Sequence, residues 1–298
     1  MKELVEKIGN VDLEITYGCG LDCLHCYNTD HIIENELELD ELFDIIEQIT
    51  NLGFPEVHIT GGEPLSHPDI TTILTDCEEN KLAFLLETNA THLTSELLAD
   101  ISNLQHLKIR ASIDGPEDIH NAIRRSPTEE NVYRMAVTNL VRAQDEGIPI
   151  QITTSVNNIN YAHILRMVDD LYSRGLRDVR LRLSMPTNNA YNHWQILRLN
   201  REKMSVVQTQ AETIKTRYDM QFNAESIFRA FPNNERKCFI TPQGDVKPYP
   251  FIDVYVGNTR ISPLKKILEQ YARVKFPKDV ERMMNAYLTE LGMGEKHD

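Results

Sequence analysis

Apolar residues recur along this chain with two periods, and the period switches repeatedly. Val11, Leu13 and Ile15 alternate with polar neighbours and read as a strand. Leu39, Leu42, Phe43, Ile46 and Ile49 then fall at helical spacing. Gly53 and Pro55 punctuate, and 57–60 reads as a second strand. The alternation continues with a helix near 68–80 and a strand at 82–88, then a helix at about 94–103 and a strand at 107–112. A helix at about 129–146 precedes a strand at 148–156, and a helix near 160–174 precedes a strand at 179–183. Six βα units in order predict an α/β chain with a parallel sheet and right-handed crossovers. Such a sheet is either doubly wound or an open, incomplete barrel.

Side-chain alternation favours the barrel. One face carries Leu13/Ile15, Val57/Ile59, Leu107/Ile109, Ile150/Ile152 and Val179/Leu181. The other carries Glu14/Thr16, Glu56/His58, Lys108/Arg110/Ser112, Gln151/Thr153/Ser155 and Arg180/Arg182/Ser184. Strands buried on both faces would be apolar throughout, so the polar set is expected to face a shared interior. Charges there need partners, and Arg110, Arg180 or Arg182 is expected to pair with Glu14, Glu56 or Glu87.

Composition narrows the class. The chain has 298 residues, of which 41% are apolar and 26% charged, enough for one large globular domain or two. A net charge of −14 argues against an extended nucleic-acid surface. No apolar run is long enough to span a membrane. Five cysteines is an odd count, and the first residues lack a secretion signal, so a reducing cytoplasm is expected rather than disulfides.

The chemistry concentrates in the loops after the strands. Cys19, Cys23 and Cys26 follow the first strand at CxxxCxxC spacing. Soft thiolates suit an iron–sulfur cluster, zinc or Cu(I). A structural zinc needs four ligands, and its fourth would be His25, His31 or the distant Cys238. Thr60-Gly61-Gly62-Glu63-Pro64 follows the second strand, where two glycines allow backbone to come close to a ligand. Barrel enzymes build their sites from loops at this end of the strands.

CxxxCxxC after strand one, together with GGEP after strand two, resembles the radical S-adenosylmethionine enzymes. Thr88-Asn89 after strand three and Ser112-Ile113-Asp114-Gly115-Pro116 after strand four, followed by His120 and Arg124, extend the likeness over about residues 9–190. The resemblance implies a partial (β/α)6 TIM barrel over 1–200, with Cys19, Cys23 and Cys26 holding one [4Fe–4S] cluster. Its open iron would bind the amino and carboxylate groups of S-adenosyl-L-methionine. Gly61, Gly62 and Glu63, with Pro64 closing the motif, would bind the methionyl amino group, chiefly through backbone. His25 stands where the family has an aromatic residue near adenine. Asn89, Ser112 and Ser155 would touch ribose or carboxylate, Arg124 the carboxylate, and Met185 would border adenine. The chemistry implied is reductive cleavage to a 5′-deoxyadenosyl radical that takes hydrogen from a peptide or small polar substrate, for epimerisation, oxidation or bond formation. The electron would come from a flavodoxin- or ferredoxin-type donor. The alternatives are a non-catalytic iron–sulfur redox or binding protein and a zinc-stabilised binding domain.

Residues 201–298 read as a smaller second unit. A helix at 201–218 is followed by two short strands around the turn Gln243-Gly244. Then come Gly257-Asn258, a helix carrying Leu264, Ile267, Leu268 and Tyr271, and a final amphipathic helix from Val280 to Leu291. This resembles a SPASM or twitch extension, the part that binds auxiliary clusters in relatives. Here Tyr249 stands where a cysteine follows the proline, and no cysteine lies beyond Cys238. The expectation is therefore a degenerate extension without an auxiliary cluster, serving as lid or substrate wall. Cys238 is read as a buried structural thiol, a hydrogen-atom donor to a substrate radical, or a vestigial ligand position. Cys77 is read as helix packing.

Overall fold

The computed structural model describes residues 1–28, 33–224, 237–249, 254–271 and 285–292. A short helix, α1 (Lys2–Ile8), leads into β1 (Asn10–Glu14), and the cysteine loop that follows holds the two-residue strand β2 (Asp22–Cys23). Next come α2 (Leu39–Leu52), β3 (Glu56–Thr60), α3 (Ile70–Glu79), β4 (Ala83–Thr88), α4 (Ser95–Ile101) and β5 (Leu107–Ser112). After these stand α5 (Glu117–Ile123), β6 (Arg124–Arg125), α6 (Val132–Asp145), β7 (Ile150–Val156), α7 (Ile164–Ser173) and β8 (Asp178–Leu183). The remainder holds α8 (Asn188–Asn192), α9 (Trp194–Leu197), α10 (Arg201–Arg217), β9 (Gln221–Asn223), β10 (Cys238–Ile240), β11 (Asp245–Lys247), β12 (Gly257–Asn258) and α11 (Leu264–Tyr271). The expected final helix is described over 285–290; its earlier part lies outside the described residues, as does His31.

Local chemistry explains the helix ends. Glu38 and Glu41 form a capping box on α2, and Gly53 closes it in the left-handed conformation. Thr94 caps α4, and Asn200 caps α10. The apolar stripes of α2 (Leu42, Ile45, Ile46, Ile49) and α7 (Ile164, Met167, Val168, Leu171) are buried in one core with the apolar strand face. Cys77 lies fully buried in that core on α3.

Strands β1, β3, β4, β5, β7 and β8 are neighbours in chain order, and every adjacent pair is parallel. A doubly wound sheet reverses its strand order at a switch point. This sheet does not reverse. Consecutive helices pack side by side, α2 on α3, α3 on α4 and α4 on α6. Right-handed crossovers winding one way place such helices on one side, which is barrel winding. The tail extends the same sheet at both edges. β9 continues beyond β8, while β10 lies parallel to β1 and is followed by antiparallel β11 and β12.

The other face of the sheet is polar, and its charges are paired across strands. Arg110 donates to Glu87 at 2.7 Å and to Gln151 at 2.8 Å, and Arg182 lies 3.7 Å from Glu87. Asp178 accepts from Lys108 at 2.9 Å and from Gln151 at 3.0 Å. The expected pairing of arginines thus falls on Glu87. Glu14 instead accepts from the Tyr27 hydroxyl at 3.2 Å, and Glu56 from His58 at 2.7 Å. The His58 ring also meets Asp12 at 2.8 Å. Burial opposes charge on that imidazole, but the carboxylates of Asp12 and Glu56 outweigh it and raise its pKa to about 9.

Burial would raise the carboxyl pKa of Glu87, but the Arg182 and Arg110 charges outweigh it and hold the group at about 2. A depressed carboxyl stabilises the fold above its unfolded value and loses that contribution as pH falls through the folded value. Between pH 4.5 and about 2, stability should therefore fall steeply. Glu87→Gln should flatten that acid limb and lower stability at pH 7. Urea midpoints measured across this window check it, and an unchanged slope would contradict the assignment.

Candidate functional site

The cysteine loop runs from Thr16 to Asn28 and is held from three sides. Its first part is clamped to the glycine turn after β3. Gly62 N–H donates to the Thr16 carbonyl at 2.7 Å, and Glu63 N–H to the Gly18 carbonyl at 2.7 Å. The two glycines are needed for this approach. A Cβ on Gly61, whose φ is +147°, would sit 2.4 Å from the Thr16 carbonyl oxygen; one on Gly62 would sit 2.4 Å from that of Gly18. Here the close approach is to the cysteine loop itself. With both N–H groups spent, this shelf offers ligands its Gly61 and Gly62 carbonyls, acceptors that suit an ammonium group.

Glu63 turns away from the shelf and braces it. Its buried carboxylate accepts from Thr88 Oγ1 at 2.5 Å, Asn89 N–H at 2.7 Å and Leu65 N–H at 3.1 Å. Burial pushes its pKa up against these three donors. The brace joins the turn after β3, where Pro64 opens a short 3-10 turn, to the end of β4. Asn89 Oδ1 is taken by Thr91, so its amide NH2 is the end that faces outward for contact.

The second side is a charged hub that sequence reading quoted in a motif but gave no role. Asp114 is fully buried and accepts from Arg124 Nε at 2.7 Å, His25 Nε2 at 2.8 Å and Ser155 N–H at 2.8 Å. Burial alone would raise this carboxyl, but the neighbouring Arg124 and His25 hold it far below the ordinary range. His120 Nδ1 accepts from Asp114 N–H at 3.1 Å, and burial beside the Arg124 charge lowers its pKa to about 3, so it is neutral. His25 is thereby committed to Asp114. The short β2–β6 ladder pairs Cys23 with Arg124 and Asp22 with Arg125, tying the loop to the end of α5.

The third side is α8, in a stretch where sequence reading expected no element. Asn189 donates its side-chain amide to the Cys23 carbonyl at 2.8 Å, and its backbone N–H to the Cys26 carbonyl at 3.2 Å. Leu24 packs with Ala190 and Leu197. No period or motif marks Asn189; only proximity shows its function.

All five cysteines are free thiols. Each sulfur of the loop has one N–H aimed at it: Leu21 to Cys19 at 3.5 Å, Asn28 to Cys26 at 3.3 Å, and Arg124 Nη1 to Cys23 at 3.8 Å. Such donors stabilise negative sulfur. Burial pushes the bare thiols up, Cys19 to about 11 and Cys23 to about 12, with Arg124 opposing. Sulfurs around one zinc at 2.3 Å would lie about 3.8 Å apart. Among the described residues only Asp12, His58 and Glu87 gather three ligand atoms within 4.8 Å of one another. Cys19, Cys23 and Cys26 do not form such a group.

The remaining candidates divide. Ser112 and Ser155 lie on the polar strand face at the mouth, half-buried, and Met185 follows β8. Cys238 does not join them. It is fully buried, sits in register with Val11 near the start of β1, and belongs to the apolar core on the helix side.

The loop that carries the three thiols is clamped to a glycine shelf at the carboxyl ends of strands wound as a barrel. The chain belongs to the Radical SAM superfamily, which it matches over residues 13–171. It is therefore a radical enzyme whose cofactors are a [4Fe–4S] cluster and S-adenosylmethionine. The AdoMet-dependent heme synthase of Methanosarcina barkeri is 24% identical over 298 residues, covering 91% of this chain and 84% of that protein. The mycofactocin maturase MftC of Mycobacterium tuberculosis is 24% identical over 254 residues, and the match spans 80% of this chain and 63% of the maturase. Among solved structures, Streptococcus suis SuiB bound to S-adenosylmethionine matches with a TM-score of 0.75 at 15% identity, over 92% of this chain and 67% of that one. SuiB bound to its precursor peptide SuiA matches at 0.76 and 15% identity, over 97% and 73%. These likenesses show the same fold, a partial TIM barrel with a C-terminal extension. No helix among the described residues is long and apolar enough to cross a membrane.

Gly62→Ala would drive a methyl into two backbone carbonyls, those of Gly18 and Tyr17. The shelf and the cysteine loop must then part. Residues just outside a metal's ligands change its retention by roughly tenfold or more, and a loss of that order is expected here. Iron per chain after anaerobic reconstitution measures it, with far-UV circular dichroism showing the fold intact. Wild-type iron content would contradict the clamp.

Proposed function

We propose that Cys19, Cys23 and Cys26 hold the cluster, and that the Gly61–Glu63 shelf beside them holds the methionyl end of S-adenosylmethionine. When bound, the two together supply a 5′-deoxyadenosyl radical that removes hydrogen from substrate. The clamp between shelf and loop carries this reading, because it fixes the glycine turn against Thr16–Gly18, the residues just before Cys19.

The chain's own residues then orient and shield. The Gly61 and Gly62 carbonyls accept from the ammonium. Arg124, locked by Asp114 and touching the Cys23 sulfur, presents positive charge to the methionyl carboxylate. The Asn89 amide and the Ser112 and Ser155 hydroxyls contact ribose or carboxylate. Met185 borders adenine. His25 acts through Asp114, holding the loop rather than stacking freely. Cys238 is assigned to packing, which its burial against the β1 core supports.

Residues 201–298 are a degenerate SPASM or twitch-like extension that walls the site. Three ties to the segment after the cysteine loop support this: Leu37 N–H to the Pro242 carbonyl at 2.6 Å, Gln243 to the Glu34 carbonyl at 3.0 Å and Arg260 to the Glu36 carbonyl at 2.9 Å. The substrate is a peptide or small polar molecule, a reading supported by relatives named as mycofactocin maturase and PqqA peptide cyclase and by SuiB with its precursor peptide. The reaction is epimerisation, oxidation or bond formation, in the cytoplasm, with a flavodoxin- or ferredoxin-type donor supplying the low-potential electron.

Reconstituted protein, incubated anaerobically with dithionite and S-adenosylmethionine, should yield 5′-deoxyadenosine and methionine. Cys19→Ala, Cys23→Ala and Cys26→Ala should each abolish both products. Absence of product from fully loaded wild-type protein would leave a non-catalytic iron–sulfur protein instead.

A further inference from the structure

We propose that the barrel interior beside β7 and β8 is a carboxylate-binding subsite for the substrate, anchored by Arg180. This rests on the radical-enzyme reading above and specifies the class of molecule it acts on. The observation is a guanidinium with no ion-pair partner within reach among the described residues. Arg180 stands on the polar face with Thr153 of β7 and Asn223 of β9 as its register partners. Its Nε is shut off from solvent and has no hydrogen-bond partner among the described residues. The nearby carboxylates are committed elsewhere. Glu87 serves Arg110 and Arg182, and Asp178 serves Lys108 and Gln151. Burial, with repulsion from Arg182 and Arg110, lowers the guanidinium pKa to about 10. The charge is destabilised where it stands.

A second unsatisfied group lies beside it. Thr153 is 8% exposed, and its buried Oγ1 has no partner among the described residues. Ordered water would satisfy a hydroxyl, but it does not neutralise a guanidinium. A hydrocarbon side chain in place of an unpaired buried arginine would favour folding, so stability does not account for this residue. A carboxylate accounts for both groups. The guanidinium fork donates two parallel N–H···O bonds to it, its single negative charge matches the single surplus positive one, and the threonine hydroxyl donates beside them.

Position assigns the carboxylate to substrate. Ser112, Thr153 and Arg180 form one row across three adjacent strands. At the usual strand spacing the Arg180 Cα lies about 10 Å from that of Ser112. Arg124, beside Cys23, is the guanidinium at the methionyl end of the cofactor site. Arg180 lies on the strand that ends near Met185, away from that end. The carboxylate belongs either to a small acid or to the acidic group of a peptide.

The test uses reconstituted protein, with and without S-adenosylmethionine. It is titrated calorimetrically with N-acetylglutamate against its uncharged diamide, N-acetylglutamine amide, and with a hexapeptide ending in glutamate against the same peptide with both carboxyls amidated. A carboxylate probe should bind roughly tenfold or more tightly than its amide, the worth of a charge-assisted pair. Arg180→Met should erase that difference, and Arg166→Met, a change at an exposed arginine on α7, should keep it. Preference for N-acetylglutamate assigns a small acid; preference in the peptide pair alone assigns a peptide. Arg180→Met should also raise the thermal midpoint, which loss of a merely structural arginine would lower. Three results overturn the proposal: no preference in wild type, an equal preference in Arg180→Met, or a preference that vanishes once S-adenosylmethionine binds. The last gives Arg180 to the cofactor's own carboxylate, and weaker S-adenosylmethionine binding by Arg180→Met would accompany it. Formation of 5′-deoxyadenosine by the same wild-type preparation decides the radical-enzyme reading separately.

Discussion

The site depends on a contact between two stretches of backbone. Gly61 and Gly62 lie against Thr16–Gly18 so closely that a single methyl would collide with a carbonyl oxygen. Two hydrogen bonds of 2.7 Å close the contact, and the Glu63 carboxylate, with its three donors, holds it to the next strand. No side-chain substitution compensates for lost space there, because both surfaces are main chain. The clamp makes the cysteine loop and the glycine turn one rigid piece, so thiols and carbonyl acceptors arrive together rather than as separate mobile loops.

Around this piece the charges are arranged in two tiers. At the mouth, Asp114 collects Arg124, His25 and a β7 N–H, and through Arg124 it reaches the Cys23 sulfur. Deeper in, Glu87, Arg110, Arg182 and His58 pair across four strands. Buried ion pairs seldom add net stability over packed hydrocarbon. Their presence along a whole face, while the opposite face is almost wholly apolar, fits an interior built to hold polar molecules. Arg180 is the one residue of these tiers whose charge the described carboxylates leave unmatched.

Much of this was legible in the sequence. Strand and helix periods located the six parallel strands of the βα units, with ends displaced by no more than two residues, because most of them have one apolar and one polar face. The cysteine spacing and GGEP marked the two loops that form the clamp. What sequence could not show was partnership. Asp114 contacts His25 across 89 positions, and no local pattern announces that distance. Nor did sequence show that the glycines pack their backbone against the cysteine loop. Cys238–Lys247 has the signature of a hairpin, and the structure confirms one. Its parallel attachment to β1 depends on tertiary packing that a hairpin pattern does not encode. The helix α8, which closes the loop from the third side, has only five residues and no apolar period to reveal it.

The central claim is that three thiols grip an incomplete iron cube with the sulfonium cofactor seated beside it. Electron paramagnetic resonance of the reduced, iron-loaded protein, recorded with and without S-adenosylmethionine, tests this most directly. A reduced [4Fe–4S] signal whose g-values shift when the cofactor is added is the predicted result. A signal indifferent to the cofactor, or a protein that takes up zinc in place of iron, would contradict the account.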